Sequence, residues 1–377
     1  MKAFISDYYP DPTIITPDDG YHYFFGYYDL PAEQNRRHLC HRVSFMDRLP
    51  EADDIAELGW LENGEFHKFA ETTAWNFQQG ALLQWHGTEP DTVCYNVCEN
   101  GRFSTVTHHL PSGEKRYTDR AAATLSADGK WGIGVDFGRI YDFRPGYGYA
   151  GWQDPFADQN APAEDGAFLI DRISGCSRQI IDYKTLAHLS GFSKNQKVLI
   201  NHVNFNPTSG RFVMLVRNFR EEGKMWSTSL VLSDLEGNLR LILENTMVSH
   251  YHWKNEAELL VYCAVQGKRS IYCINMDNGS TVEYDMGLEK NPDIHCCWAP
   301  DYRRFIGDGY PIEGYRPLMA YDMETGEWCE LFRAFSVKPD IIDIRCDLHA
   351  RFIQGGKFIS FDTTHNNKRQ IAVIPVL

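Results

Sequence analysis

The chain has 377 residues, 51 of them acidic against 37 Lys and Arg, and a formal net charge of −14. That balance excludes nucleic acid and anionic membrane surfaces as general partners, since both would repel it. Ten cysteines without a CxxC pair, an N-terminus without the apolar core of a signal peptide, and no run near a membrane span in length point to a reducing, cytoplasmic setting with free thiols.

The first 20 residues are turn-rich, with Pro10, Pro12 and Pro17. Short strand signals then follow one another: Phe24–Asp29, Leu39–Phe45, Ala81–Trp85, Val93–Val97 and Ala121–Leu125. Residues 138–166 interrupt the rhythm with an aromatic, Gly- and Pro-rich stretch. It is too long for a hairpin and too aromatic for a disordered linker, so it reads as an ordered functional loop over one face. The only helical signal is Tyr183–Leu189. Later strands are regular, each closing on an Asp-x-x-x-Gly type turn such as Asp322 to Gly326.

A motif repeats through the second half: His, two residues, then an aromatic. The copies are His202 to Phe205, His250 to Trp253, His295 to Trp298 and His349 to Phe352, with successive histidines 48, 45 and 54 residues apart. A period of that size, built from short strands only, predicts a β-propeller blade. Inner strands at about 25, 82, 122, 202, 250, 295 and 349 give an all-β, seven-bladed β-propeller read as a single domain. A strand from the N-terminal region is expected to close the open edge.

In a propeller the first strand of each blade starts at one face, and the second strand returns to it. His202, His250, His252, His295, Asp347 and His349 start first strands. His41, Arg42, Asp136, Arg217, Asp308 and Asp362 end second strands. Titratable residues therefore gather at one face, while ordinary turn residues hold the other. Histidine in one such place is as readily a blade-bridging residue. Four in register, with arginine and aspartate at the same level, favour a site in which neutral imidazoles bind a divalent metal. Tyr147, Tyr149, Trp152 and Arg144 of the interruption are candidates for stacking on, or pairing with, a sugar. Asp136, Asp308 and Asp362 keep open a carboxylate glycoside hydrolase, and a non-catalytic glycan- or protein-binding propeller is the other alternative.

The second half resembles the oligogalacturonate lyases and related seven-bladed polysaccharide lyases. The likeness rests on His250, His295, Asp347 and His349 at their register, and on turns such as Ala299-Pro300-Asp301 and Ser126 to Gly129. The first half, including Gly26 to Asp29 and Arg144 to Gly151, does not share it. The resemblance implies a metal held by inner-strand histidines and a glutamine, and a further histidine that takes the proton beside a uronate carboxylate. Carried over by register, His250 is the base; among the residues themselves His202 and His252 stay open for that role, and His41 is a further catalytic candidate. His295, His349 and Asp347, with His252 nearby, hold the ion. Asp347 stands where a third histidine is expected, which favours Mn²⁺ or Ca²⁺, and no glutamine is placed. Arg217 and Arg42 pair with the acidic sugar. The expected function is metal-assisted β-elimination on a small acidic oligosaccharide.

Overall fold

The computed structural model describes residues 2–7, 9–219, 226–286 and 293–376. Seven antiparallel sheets follow one another along the chain, each a meander whose strands pair in sequence order. They are the seven blades of a β-propeller, at 22–72, 84–117, 122–182, 198–246, 248–284, 295–335 and 351–375. The chain forms two compact units, Met1–Trp85 with Pro292–Leu377, and His86–Asn291.

Strand composition follows depth. In the fifth blade, Glu258–Val265 buries Leu259 to Cys263 without a break, so both of its faces are covered. Such strands read as continuous apolar runs. The outer strand Leu239–Thr246 buries none of its eight residues. In the second unit, Val213, Leu230, Tyr251, Trp253 and Val261 pack into one apolar core. In the first, Phe4, Ile306, Phe332, Phe361 and Ile374 form another.

The expected closing strand is two short ones. Phe4–Ile5 pairs with the outer strand Glu327–Phe335 of the sixth blade. Thr13–Ile14 pairs with Gln370–Pro375 and supplies the seventh blade's fourth strand. Both cover edges that would otherwise expose unpaired backbone groups.

The helix expected at Tyr183–Leu189 is present, capped by Asp182, whose carboxylate accepts from the Thr185 N–H. A second helix, α1, spans Phe137–Phe143, inside the stretch read as loop. Asp136 caps it by accepting from the Arg139 N–H at 2.8 Å. Seven residues are two turns, too few for a helical period to stand out, and only the capping aspartate marks the start.

The interruption is folded around Arg139, whose side chain is fully buried. Its guanidinium pairs with Asp154 at 2.8 Å. It also donates to the carbonyls of Val198, Phe156, Gln159 and Asn160. One cation thus ties α1 to the return segment and to the first strand of the fourth blade.

Candidate functional site

Three of the four repeated histidines occupy irregular places in or just before their first strands. In the fourth blade Asn201 pairs with Leu215 and Val203 with Met214, so His202 is the extra residue of a bulge, at φ 50°. In the fifth, pairing jumps from Val248↔Cys263 to Tyr251↔Val261, and His250 lies in the jump. The third blade has the same shift between Ala122 and Thr124, with no histidine to use it. His349, at φ 43°, precedes the seventh blade's first strand. A bulge re-aims one side chain out of the alternation, and histidine is among the residues that tolerate positive φ.

In the first unit, His295, Asp347 and His349 converge. One ligand atom from each lies within 4.8 Å of the others, and all three residues are buried. Asp347 Oδ2 is 4.0 Å from His295 Nε2 and from His349 Nε2. The two imidazoles meet edge to face, with centroids 4.4 Å apart. Tyr27 stands against His349 at 5.2 Å, and Tyr28 against His295 at 5.6 Å.

Asp308 orders this cluster from behind. It accepts from His295 Nδ1 at 2.7 Å and from the His349 N–H at 3.0 Å. The first contact follows from strand register, because His295 and Asp308 are directly paired. Asp347 is held between Arg316 at 2.8 Å and Arg345 at 2.7 Å. Burial opposes ionisation of Asp347, but Arg345 and Arg316 outweigh it and hold the carboxyl far below the usual range. Burial would likewise depress His295, yet the Asp308 carboxylate reverses the effect and raises it. His349 is driven down by burial and by the neighbouring His295.

The donor set fits a divalent cation. Two imidazoles and a carboxylate are an accepted mixed set for Mn²⁺-type ions. A carboxylate behind a ligand histidine is the usual means of fixing its tautomer. His349 Nε2 is buried and has no hydrogen-bond partner among the described residues, as a ligand nitrogen requires. Gln78 also reaches this segment, donating to the carbonyls of Asp343 and Arg345. Its Oε1 is buried and meets no donor among the described residues. The sequence reading missed Gln78, Arg316 and Arg345. The signal for Arg345 was its place two residues before Asp347, on the same side of an extended segment; Gln78 and Arg316 gave none.

In the second unit, His202 and His250 lie 6.1 Å apart, and Tyr147 packs edge-on to His202 at 5.2 Å. Arg144 lies over Tyr147 and Trp226. Arg217 donates to Asn201 at 2.8 Å and also lies by Trp226. His252 belongs to neither of the cation-competent clusters found among the described residues, and burial pushes it down to about 4.

Three assignments need correction. His41 is a strut. Its Nδ1–H donates to the Phe24 carbonyl, its Nε2 accepts from the Ala81 N–H, and its ring stacks on Phe24, so neither nitrogen is available for acid–base work. Arg42 is committed to Glu57 at 2.5 Å, with Asp19 at 3.7 Å. Tyr149 is core: its ring stacks on Phe137 at 4.2 Å and its hydroxyl accepts from Asn96. The carboxylates considered for hydrolysis are also engaged. Asp362 pairs with Arg351 at 2.7 Å and accepts from the backbone of Phe25 and Gly26. Asp308 serves the two histidines, and Asp136 caps α1.

A second carboxylate cluster, Asp136, Asp154 and Asp165, is buried in the second unit. Arg139 and Lys197 supply its positive charge at Asp154. Burial, with help from Asp136, raises Asp165 to about 6. Two cations thus meet three carboxylates, and the cluster contains no imidazole.

No protein-family model matches the chain, and no curated protein matches it. Solved structures do. One is an oligogalacturonate lyase in complex with manganese, at TM-score 0.67 and 15% identity, covering 99% of this chain and 96% of that one. Another is the oligogalacturonate lyase of Vibrio parahaemolyticus, at TM-score 0.66 and 14% identity, with the same coverage. A Mycobacterium tuberculosis puromycin-hydrolyzing peptidase matches at TM-score 0.54 and 13% identity, over 96% of this chain but 53% of that one. At such identities the likeness is one of fold: the chain is a seven-bladed β-propeller similar over nearly its whole length to the oligogalacturonate lyases.

Proposed function

We propose that this protein is a lyase that cleaves short, uronate-containing oligosaccharides by metal-assisted β-elimination. The observation that carries the reading is the convergence of His295, Asp347 and His349, backed by Asp308, on a propeller of this fold. These three residues would hold a divalent cation, Mn²⁺ or Ca²⁺, which when bound supplies charge neutralisation for a uronate carboxylate. Asp308 keeps the His295 proton on Nδ1, leaving the Nε2 lone pair for a ligand.

The charges favour an acidic substrate. Asp308 and Asp347 offset Arg316 and Arg345, so a divalent ion would leave a buried excess of positive charge that an incoming carboxylate reduces. The residues fit the remaining chemistry. A neutral histidine takes the proton from C5 of the uronate, a C4–C5 double bond forms, and the C4–O bond breaks with its electrons leaving on the departing sugar. We assign the base to His250, with His202 beside it as the other candidate. Arg217, Arg144 and Tyr147 are assigned to holding the saccharide. The hydrolase alternative loses ground because Asp136, Asp308 and Asp362 are each committed elsewhere. None of the ten cysteines forms a disulfide, which suits a reducing, cytoplasmic location. No helix of the described residues is long and apolar enough to cross a membrane.

The test is metal content of the purified protein beside His349→Ala and Asp347→Asn variants, with unsaturated-uronate formation followed by ultraviolet absorbance. About one divalent ion per chain is expected, lost in both variants together with product. A wild-type protein that takes up no ion from added Mn²⁺ or Ca²⁺ would sink the proposal. An ion held with no product from any acidic oligosaccharide would move the assignment to glycan binding.

A further inference from the structure

A cleft of about 260 Å³ lies in the second unit, lined by Arg102, Phe103, Arg120, Asp136 and Trp152, with Asp119 at its rim. Many guanidinium groups elsewhere are paired with carboxylates, such as Arg42 with Glu57, Arg211 with Asp277 and Arg351 with Asp362. In a chain with 51 acidic residues and 37 basic ones, Arg102 and Arg120 meet no carboxylate within ion-pair reach among the described residues.

The cleft is built rather than incidental. Arg120 is held with its guanidinium 3.6 Å from the Phe168 ring centroid. Gly134 makes room for its stem, since a Cβ there would stand 2.7 Å from Arg120 Cδ. Trp152 is fixed by donating Nε1–H to Asp136 Oδ2 at 3.3 Å. Gly138 lets it approach α1, because a Cβ there would meet the indole at 2.9 Å. Phe103 is braced edge-on against Tyr149.

The chemistry of the lining selects a ligand class. Two guanidiniums favour an anion, and bidentate contact favours a carboxylate. Asp119 and Asp136 oppose a polyanion but accept hydrogen bonds from hydroxyls. A flat indole wall offers stacking to a ring. The volume suits one sugar ring, below the usual range for larger ligands. We infer that this cleft binds a single sugar acid, carboxylate on Arg102 and Arg120, hydroxyls toward Asp136, ring against Trp152. The choice of a uronate rests on the proposed function; the preference for a monoanionic, hydroxyl-bearing ring does not.

The experiment is calorimetric titration of the full chain with D-galacturonate, D-galactose and inorganic phosphate, in EDTA so that no metal contributes. Galacturonate is expected to bind, with galactose and phosphate weaker by about tenfold or more. Arg120→Gln and Trp152→Leu should each lose about tenfold in affinity. Arg102→Gln tests the same charge at the exposed first residue of a strand, where little packing is at risk. Arg303→Gln, at an exposed arginine outside the cleft, should bind galacturonate as the wild type does. Undiminished binding in both cleft-arginine variants, equal binding of phosphate, or equal binding of galactose would overturn the inference. Galacturonate binding that survives in a protein without metal or lyase product would leave this cleft standing and remove the lyase reading.

Discussion

Arg139→Met is the sharpest test of how the interruption inside the third blade, between its second and third strands, holds its shape. Arg139 is fully buried, its Asp154 partner is 2% exposed, and they meet at 2.8 Å. Removing the guanidinium leaves Asp154 with Lys197, at 3.6 Å, as its cation and the Phe156 N–H, at 2.8 Å, as a donor. Breaking a buried pair from one side costs about 3–5 kcal/mol. The Val198 carbonyl, also buried, loses its donor at 2.7 Å, adding about 1 kcal/mol or more. The carbonyls of Phe156, Gln159 and Asn160 lie closer to solvent and recover water, so they add little. The expected loss is about 4–6 kcal/mol, a large share of the roughly 5–15 kcal/mol that holds a domain folded. Urea unfolding followed by circular dichroism measures the total, and amide hydrogen exchange over 137–160 shows whether the loss is local. The double variant Arg139→Met, Asp154→Leu should regain at least half, because an apolar pair of similar volume can replace a buried ion pair at little cost. A single variant that loses less than about 1 kcal/mol would refute the account of Arg139 as the organising cation.

Two further outcomes follow from the first blade. His38 and His41 are buried neutral, depressed by burial to about 3 and about 4. The unfolded chain takes up their protons near 6.5, so stability is complete above that pH and falls as pH drops towards 4, by on the order of 3 kcal/mol per histidine; urea midpoints that stay flat from pH 7 to pH 4.5 would contradict this. Gly80→Ala places a Cβ 2.2 Å from the His41 ring at φ 60°, which should cost about 2–5 kcal/mol through overpacking and left-handed strain; a thermal midpoint within a degree of wild type would show that the ring yields freely.

The blades were legible because a propeller writes its period into the chain: short apolar runs, turn residues, and an aromatic three places after each repeated histidine. What that period could not show is direction. His41 ends a second strand as expected, but its ring turns inward onto Phe24 and locks between two backbone groups. Tyr149 sits in the aromatic interruption as expected, yet serves its packing. Both lie at the anticipated place along the chain with the side chain aimed elsewhere. Arg316 was invisible for another reason: it reaches Asp347 from the third strand of the sixth blade, and a count of first and second strands never consults the third.

Asp347 shows why register alone undersold the candidate metal set. Replacing a neutral imidazole by a carboxylate in a buried cluster adds a charge that must be balanced, and Arg316 and Arg345 balance it on opposite sides. That pairing gives the substitution a physical logic: a third histidine at 347 would remove the carboxylate that both buried guanidiniums contact and leave Asp308 as the cluster's one carboxylate, whereas aspartate keeps that contact and a hard oxygen donor beside the two nitrogens. The aspartate and the arginines therefore form a unit. If the ion is held as proposed, Asp347→His should not act as a conservative ligand exchange. It should destabilise the fold by several kcal/mol and regain metal only when Arg316 or Arg345 is neutralised with it, an outcome that metal analysis of the double variant, Asp347→His with Arg345→Gln, would read directly.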